Sequence, residues 1–337
     1  SQNIKMKLED DMQKPKVAFY WCASCGGCEE AVVDLAEDVL TVVEAVDIVL
    51  WPVALDFKKS DVEALDDGEI TVSLINGGVR NAEQMEMVEL LRKKSKLVVA
   101  FGSCAHLGGI PGLANLYGRE DILKLCYEDV PTVVNPDKVY PMLETETENG
   151  TLKLPEFYSS VKALHQAIDV DYYLPGCAPP PNLILEAVKA ILEGKLPKKG
   201  AVLAPNKTLC DTCPRRDSKP EKLLIKEVVR PALTEMDDEK CFLAQGMICT
   251  GPATRSGCGE RCINANMPCR GCFGPPSTVT DQGGKFLSAL TSCVDSEDET
   301  EAKEILDQII DPTGLFYMYS LPSSVGVRFK DGGSDEK

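Results

Sequence analysis

Apolar residues in the first two hundred positions occur in short continuous runs, separated by stretches with helical spacing. Such runs are typical of strands buried on both faces of a parallel sheet. The predicted strands are KVAFYW (16–21), DIVLW (47–51), ITVSLIN (70–76), LVVAFGS (97–103) and DYYLPG (171–176). The predicted helices are EEAVVDLAEDVL (29–40), AEQMEMVELLRKKS (82–95) and NLILEAVKAILEG (182–194). Strands that alternate with helices predict a mostly parallel, three-layer α/β domain from about 15 to 200.

The alternation stops at a linker rich in proline and lysine, LPKKGAVLAPNKT (196–208). From 210 to 276 the chain is dense in Cys, Gly, Pro and Arg, and it lacks apolar periodicity. We expect bound metal clusters to organise this stretch, because its side chains alone are a poor basis for a core. Residues 297–310 predict one acidic helix, and KDGGSDEK (330–337) predicts a disordered tail. The predicted segments are 15–200, 201–290 and 291–337.

The charge balance excludes some partners. With 36 basic and 53 acidic residues, the formal charge is −17, which argues against nucleic acid and against a basic membrane-binding patch. No apolar run reaches the roughly 18 residues that a membrane span requires. The first residues, SQNIKMKLEDDMQKPK, show neither the apolar core of a secretory signal nor a twin arginine. These features predict a cytoplasmic protein with reduced thiols.

Cysteine usage points to the chemistry. The chain has 15 cysteines and only 2 histidines, and eight of the cysteines lie between Cys210 and Cys272. Thiolate coordination with almost no imidazole is the ligand set of iron–sulfur clusters or of all-sulfur zinc sites. Both alternatives stay open at this point.

Several cysteines follow predicted strands. Cys22, Cys25 and Cys28 come after the first strand, and Cys104 and Cys177 come after two later ones. Ligands of parallel α/β sheets bind beyond the carboxyl ends of the strands. We therefore expect cysteines from three strand ends to converge at one edge of the sheet.

The spacing CxxC occurs at 25–28, 210–213 and 269–272. One such pair is weak evidence, because structural zinc sites and thioredoxin-like redox pairs use it too. Three pairs with further cysteines nearby favour clusters and disfavour the thioredoxin interpretation. Three four-cysteine zinc sites remain the alternative.

Four motifs carry a resemblance to a known family. WCASCGGCEEAVVDL, GSCA, PGCAPPP and CFLAQGMICTGPATRSGCGERCINANMPCRGCFGP resemble the small, electron-transfer subunit of nickel–iron hydrogenases. The similarity covers about 15 to 277 and is strongest to the cytoplasmic, methyl-viologen-reducing type of electron-bifurcating assemblies. It implies an α/β fold, with a flavodoxin-like parallel-sheet domain followed by a smaller Cys-rich, cluster-organised domain.

The resemblance also implies three 4Fe-4S clusters, each with four cysteine ligands. The proximal set would be Cys25, Cys28, Cys104 and Cys177. The distal set would be Cys210, Cys213, Cys241 and Cys249. The medial set would be Cys258, Cys262, Cys269 and Cys272.

Two positions depart from the usual family pattern. Many small subunits have histidine as the first distal ligand, where this chain has Cys210. Many have proline where Cys262 stands, which leaves a three-iron medial cluster. Cysteine at that position implies a full four-iron cluster, of lower potential.

The function implied is electron conduction. Hydrogen would be split at a nickel–iron centre on a partner large subunit, because this chain lacks the paired CxxC termini that hold such a centre. Electrons would leave to downstream flavin or iron–sulfur acceptor subunits, NAD- and ferredoxin-linked or of the heterodisulfide reductase type. Two alternatives are the related quinone-reductase subunit of complex I, which lacks the Cys-rich part, and a zinc-stabilised interaction module.

Arginines near the predicted ligands, Arg215, Arg255 and Arg270, could offset the negative charge of the clusters, although surface positions would explain them too.

Five other residues have weaker signals. Glu29 at a helix start favours the helix dipole, with a role in proton movement as the alternative. We expect His106 to be structural, although it could also hydrogen-bond a cluster sulfur. Cys22 could replace Cys25 as a ligand, and its role stays open. Cys126 and Cys293 are predicted to be ordinary thiols.

Overall fold

A computed structural model describes residues 14–296 and 298–326 of the chain. The strands are β1 Lys16–Trp21, β2 Asp47–Leu50, β3 Ile70–Asn76, β4 Val79–Asn81, β5 Ser95–Phe101, β6 Glu144–Thr147, β7 Gly150–Lys153, β8 Phe157–Lys162 and β9 Tyr172–Leu174. The α-helices are α1 Gly27–Val33, α2 Asp38–Ala45, α3 Lys59–Glu63, α4 Ala82–Lys94, α5 Ser103–Leu107, α6 Arg119–Lys124, α7 Pro181–Leu192, α8 Leu209–Thr212, α9 Arg261–Asn264, α10 Gln282–Thr291, α11 Glu299–Asp307 and α12 Pro312–Phe316.

Five strands form the central sheet in the order β2-β1-β3-β5-β9, and all of them are parallel. One row of paired residues crosses four of these strands: Phe19, Leu74, Val99 and Tyr172. All four are buried, because helices cover both faces of the sheet. The predicted parallel α/β fold is confirmed.

Two apolar cores lie on opposite faces of this sheet. Phe19 and Leu74 point to the face covered by α1 and α7, where Ile184 packs against them. Their neighbours Ala18 and Ile75 point to the other face, towards α4. This alternation follows from the period of two along a strand. It leaves the carboxyl edge of the sheet as the place where loops can carry ligands.

The predicted helix over 29–40 is two helices. Between α1 and α2 the chain turns at Ala36, which has a left-handed φ of 53°. The Ala36 N–H donates to the Val33 carbonyl, which tightens the end of the first helix. The apolar spacing continues through this turn, and for that reason the pattern predicted one element.

The Cys-rich part has an apolar core, contrary to the expectation from its composition. Phe242 and Ile263 are buried together with Phe286 of α10 and Phe316 of α12. The stretch 210–276 is poor in apolar residues by itself, but the helices that follow it complete the core. Clusters are therefore not the only element that can organise this part of the chain.

The acidic helix predicted over 297–310 is confirmed for its central residues, because α11 runs from Glu299 to Asp307. The Asp298 side chain caps it by accepting from the N–H groups of Thr300 and Glu301, both at 2.9 Å. Glu297 and the predicted tail at 330–337 lie outside the described residues. None of the described helices is long and apolar enough to cross a membrane. The three segment boundaries stay predictions.

Asp171, directly before β9, gives a test of the sheet. Its buried carboxylate accepts from the Val98 N–H at 2.8 Å and from Arg92 at 2.7 Å, and it also pairs with Lys199. Burial raises the pKa of this carboxyl, but these hydrogen bonds outweigh burial and hold the pKa below its ordinary value. The carboxylate therefore stabilises the fold at neutral pH, and the contribution is lost as the pH falls through the lowered pKa.

We expect Asp171→Asn to lower the free energy of unfolding by about 1 to 3 kcal/mol at pH 7, because buried donors lose a charged acceptor. Urea unfolding measures this loss. The control is Asp169→Asn, whose exposed carboxylate can be changed while the backbone contact with Arg92 stays intact. The difference between Asp171→Asn and the wild type should shrink in acid, and a constant difference from pH 7 downward would contradict the assignment.

Candidate functional site

The proximal set gathers at the carboxyl edge of the sheet. Cys25 lies in the turn between β1 and α1, and Cys28 is the second residue of α1. Cys104 lies in α5 directly after β5, and Cys177 follows β9. Because β1, β5 and β9 run parallel in one sheet, their carboxyl ends lie along the same edge.

The four thiols of the proximal set act on one another. Burial raises the pKa of the Cys28 thiol, and the neighbouring Cys104, Cys177 and Cys25 raise it further. Burial, with contributions from Cys177 and Cys25, raises the pKa of Cys104 to about 12. Cys25 also contributes to the raised pKa of Cys177, so each of the four thiols lies close to the other three. The structure thus places cysteines from three strand ends near one another at one edge of the sheet, as the sequence predicts.

Two glycines make room for these sulfurs. Gly102 has a φ of 86°, and a Cβ placed on it would lie 2.3 Å from Cys28 Sγ. Gly109 has a φ of 60°, and its Cβ would lie 2.4 Å from Cys104 Sγ. Side chains at either position would displace a thiol, so glycine is required there both by the backbone conformation and by space.

Cys22, whose role the sequence left open, lies apart from the proximal set. It is buried in the core on the α4 face of the sheet, together with Ala18 and Ile75. Burial alone raises the pKa of its thiol, without a contribution from another cysteine. The alternation of side chains along β1 and its extension directs Cys22 away from Cys25, so it packs as an apolar residue.

The distal set surrounds the first turn of α8. Burial raises the pKa of Cys210 to about 12, and Cys213 and Cys241 contribute. Burial raises the pKa of Cys249, and Cys269 of the medial set and then Cys210 raise it further, so Cys249 lies near Cys210 on the side of the medial set. A Cβ on Gly251 would lie 3.5 Å from Cys210 Sγ and 3.6 Å from Cys249 Sγ. The structure therefore brings the four predicted distal residues together.

The medial set lies in the loops on both sides of α9. Burial raises the pKa of Cys258, and Cys262 adds to the effect. Burial also raises the pKa values of Cys269 and Cys272, with contributions from Cys258 to each. Cys258 therefore lies near each of the other three predicted medial residues.

The medial set is adjacent to both other sets. Cys177 of the proximal set acts on the pKa of Cys272 in two ways, because its thiol raises that pKa and its backbone N–H lowers it. On the other side, the Cys269 N–H donates to Cys249 Sγ of the distal set at 3.3 Å. The order in space is therefore proximal, medial, distal.

Backbone N–H groups favour the charged form of several of these thiols. N–H groups of Ile110, Gly251 and Gly271 lower the pKa values of Cys104, Cys249 and Cys269, which burial raises. Such donors stabilise thiolates, and they are the usual partners of sulfur in iron–sulfur sites. Among residues 14–296 and 298–326, no three Cys, His, Asp or Glu side chains are grouped so that they could hold a single metal ion.

Arg215 is buried, contrary to the possibility of an ordinary surface position. Its guanidinium donates to the Lys240 carbonyl at 3.0 Å and to Asn266 Oδ1 at 2.7 Å, and it stacks over the Phe242 ring at 4.1 Å. It also lowers the pKa of Cys213, which burial raises. Arg215 thus both connects loops of the Cys-rich part and supplies positive charge beside a distal cysteine.

The buried polar residues near the proximal set are structural. Glu29 is 2% exposed and accepts a hydrogen bond from Asn76 Nδ2 at 3.1 Å, and burial raises the pKa of its carboxyl. His106 packs on the Tyr173 ring at 4.9 Å, and burial lowers its pKa to about 3. A neutral, enclosed imidazole fits the structural role expected for His106. Cys126 and Cys293 lie outside the three sets.

Sequence reasoning missed Tyr319. Burial raises the pKa of the Tyr319 hydroxyl, and four cysteines raise it further: Cys177, Cys272, Cys262 and Cys269. Tyr319 lies far beyond the last cysteine of the motifs, and no local pattern marks it.

The comparisons with known proteins cover nearly the whole chain. The family model described as NADH ubiquinone oxidoreductase, 20 Kd subunit, matches residues 25–191. The iron-sulfur subunit of the F420-non-reducing hydrogenase of Archaeoglobus profundus is 39% identical over 313 residues, which are 92% of this chain and 97% of that protein. The corresponding subunit of the F420-non-reducing hydrogenase of Methanothermobacter thermautotrophicus is 35% identical over 316 residues, or 93% and 96%.

A solved structure shows the same fold. The recombinant NiFeSe hydrogenase of Desulfovibrio vulgaris Hildenborough matches with a TM-score of 0.52 and 17% identity, covering 79% of this chain and 95% of that chain. This likeness shows the fold, a parallel sheet followed by a further part of the chain, and the two relatives show the class, the iron-sulfur subunits of hydrogenases. The chain belongs to the family of F420-non-reducing hydrogenase iron-sulfur subunits, the electron-transfer subunits of nickel–iron hydrogenases whose catalytic site lies on a partner large subunit. The resemblance noted in the motifs is confirmed.

The glycine beside Cys28 can be tested directly. We expect Gly102→Ala to displace the Cys28 sulfur and to reduce the iron bound per chain, because its Cβ would overlap that atom. Iron analysis of anaerobically purified protein measures the loss. Gly200→Ala is the matched control, because Gly200 has the same φ of 86° and nothing within 4 Å of its Cβ. Equal iron contents in the two variants would argue against the proximal site.

Proposed function

We propose that this subunit carries electrons from the hydrogen-oxidising nickel–iron centre of its partner through three 4Fe-4S clusters to a downstream redox module. The proximal, medial and distal sets, defined above by their residues, would each hold one cluster. One observation carries the proposal: the twelve thiols fall into three groups, and the medial group lies beside both of the others.

The zinc alternative has less support than the clusters. A structural zinc ion would need only the four thiolates of each set, and it would give a chain of three sets no redox task. The contacts between neighbouring sets, and the N–H donors that point at Cys104, Cys249 and Cys269, suit sites that exchange electrons. The relative from Archaeoglobus profundus, 39% identical to this chain, is itself an iron-sulfur subunit.

The complex I subunit has one observation in its favour, the family model over 25–191. That match ends before the Cys-rich part. The two relatives reported above extend over 92% and 93% of this chain and so include it. The eight cysteines between Cys210 and Cys272 therefore support the hydrogenase function.

The protein would hold each cluster through thiolates and adjust its properties through the surroundings. When bound, the clusters supply sites for one-electron oxidation and reduction. The N–H groups of Ile110 and Gly251 would donate to Cys104 and Cys249, and the Arg215 charge would offset that of Cys213. Burial of Cys249 and Cys269 would keep water from the place where the medial and distal sets meet.

The partners proposed are the nickel–iron large subunit at the proximal end and a flavin or iron–sulfur acceptor subunit at the distal end, NAD- and ferredoxin-linked or of the heterodisulfide reductase type. We place the complex in the cytoplasm, as part of an electron-bifurcating assembly. The domain division proposed is 15–200 for the proximal cluster, 201–290 for the medial and distal clusters, and 291–337 for the C-terminal helix and tail.

Metal content tests the proposal first. Anaerobically purified protein should contain about twelve iron atoms and about twelve acid-labile sulfides per chain, because three four-iron clusters require them. Iron and sulfide assays measure both numbers. Stoichiometric zinc with little sulfide would instead establish the zinc-stabilised module.

Cys262 tests the medial assignment. We expect Cys262→Pro to convert a four-iron into a three-iron cluster, which lowers the count by about one iron per chain and adds a three-iron signal in EPR of the oxidised protein. The first turn of α9 tolerates proline, because an N–H there has no helical acceptor. Cys126→Ser is the control, since Cys126 is exposed and belongs to no set. A full four-iron signal in Cys262→Pro would remove this residue from the ligands.

A further inference from the structure

Residues 117–156, which we call the hairpin arm, leave the sheet near the proximal set. The arm follows the short 3-10 helix Ile110–Leu116, which comes soon after Cys104 of that set. It leads into β8, whose first residue, Phe157, accepts a hydrogen bond from the Arg119 side chain at 3.2 Å. The two ends of the arm therefore lie together, and the arm is an excursion from the carboxyl edge of the sheet.

The outer part of the arm is the two-stranded sheet of β6 and β7, which has one polar face. Glu144 lies opposite Lys153, and their side chains form an ion pair at 2.8 Å. On the same face, Thr151 Oγ1 donates to Glu146 Oε1 at 2.8 Å. These polar groups are paired within the hairpin, so this face needs no partner protein.

The other face of the hairpin is apolar and uncovered. Thr145 lies opposite Leu152, and the Leu154 N–H extends the pairing by donating to the Leu143 carbonyl at 2.9 Å. Because side chains alternate along a strand, the three leucines share one face with Thr145. Leu143, Leu152 and Leu154 are 56%, 63% and 55% exposed. The hairpin thus presents a row of leucines to its surroundings.

Such a face marks an interaction site. A two-stranded sheet is only marginally stable in water unless its apolar face packs on another element, and contiguous exposed apolar side chains are typical of protein–protein contacts. Asn135 nevertheless fixes the shape of the arm, because its side chain donates to the carbonyls of Tyr127 at 3.0 Å and Val139 at 2.9 Å. Further exposed apolar residues of the arm are Tyr117, Leu125, Tyr127, Val134, Val139 and Met142. An arm of fixed shape with an uncovered apolar surface is suited to binding a folded partner.

The charge of the arm restricts what can cover it. Nine acidic and four basic residues give residues 117–156 a net charge of −5. Two copies of this chain would bring two such charges together, which disfavours an interface between copies. A partner surface that is apolar in its centre and basic at its rim is complementary to the arm.

The position of the arm indicates which partner this is. Exposed Ile110 and Leu116 lead along the chain from Cys104 to the arm, so the apolar surface continues towards the proximal set. Trp21, at the carboxyl end of β1, is exposed at the same edge of the sheet. The distal cysteines, where an acceptor subunit would bind, lie beyond the medial set. The surface of the arm is therefore continuous with the end of the protein that the large subunit approaches.

We propose that the hairpin arm docks onto the nickel–iron large subunit, which covers the apolar face formed by Leu143, Leu152 and Leu154. This inference rests on the proposed function, which places that subunit at the proximal end. The large subunit would meet the leucines with an apolar patch and surround them with basic side chains. Docking would add contact area beside the proximal set and keep its separation from the partner's catalytic centre fixed.

Photo-crosslinking in the complex with the partner subunits tests this contact. Leu152→p-benzoylphenylalanine places a photoreactive group on the apolar face, and Lys153→p-benzoylphenylalanine places the same group on the polar face. We expect the first variant to cross-link to the large subunit and the second to do so several-fold less, as measured by mass spectrometry of the cross-linked peptides. Cross-links from position 152 chiefly to the acceptor subunit or to a second copy would overturn the inference. Equal yields from both positions, or none from position 152, would do the same.

Affinity gives a second measurement. The variant Leu143→Gln/Leu152→Gln/Leu154→Gln should bind the large subunit roughly 100-fold more weakly or worse, because each buried leucine contributes about tenfold or more. The matched control is Glu144→Gln/Thr151→Gln/Lys153→Gln, which changes as many residues on the polar face and keeps the net charge. Mass photometry of the diluted complexes measures both affinities.

Both variants should keep the iron content of the wild type, because the substituted side chains lie on the hairpin and leave the sheet unchanged. Undiminished affinity in the leucine variant, or equal losses in the two variants, would contradict docking through the apolar face. A wild-type complex that does not oxidise hydrogen would overturn the proposed function and leave the cross-linking result standing, so the two failures are distinguishable.

Discussion

Neighbouring thiols, several of them buried, place the main electrostatic constraint on the cysteine-bearing parts of this molecule. A buried thiolate is unfavourable by itself, and a second one beside it is worse. Cys28 shows both effects, because burial and three neighbouring cysteines raise its pKa. Cations placed between the sulfurs would reverse both contributions and release the protons. Folding around the three sets and binding of their metal are therefore expected to be coupled.

The two parts of the chain hold their cysteines near one another with different scaffolds. The proximal set uses strands of one sheet, which hold residues as distant as Cys25 and Cys177 at one edge. The other sets lie in loops, whose core needs helices α10 and α12 to be complete. Phe273 connects the two scaffolds, because it directly follows Cys272 and is buried in the core of the sheet with Phe101. The separation of proximal and medial sites is thus fixed by apolar packing.

Much of the fold was predictable, since strands buried on both faces appear as continuous apolar runs. The three cysteine sets were predicted from cysteine spacing together with the family motifs, and their role as ligands stays a prediction. The break at Ala36 was not predictable, because the apolar spacing of the helix continues through it. The environments of Cys22 and Arg215 depend on which face each residue meets after folding. The position of Tyr319 depends on the path that the chain takes after α12, which no local sequence pattern contains.

The exposure of the cysteines differs along the three sets, and it is high at the proximal end. Cys25 and Cys177 are exposed at the proximal end, and Cys213 and Cys241 are partly exposed at the distal end. Between these ends, the medial and distal sulfurs that approach each other are buried, so electrons would enter and leave where partner proteins can bind. Cys262 is the exception, because it is an exposed medial residue. If the medial set holds a cluster as proposed, Cys262 would be its most exposed ligand, and the path would run past the less exposed Cys258, Cys269 and Cys272.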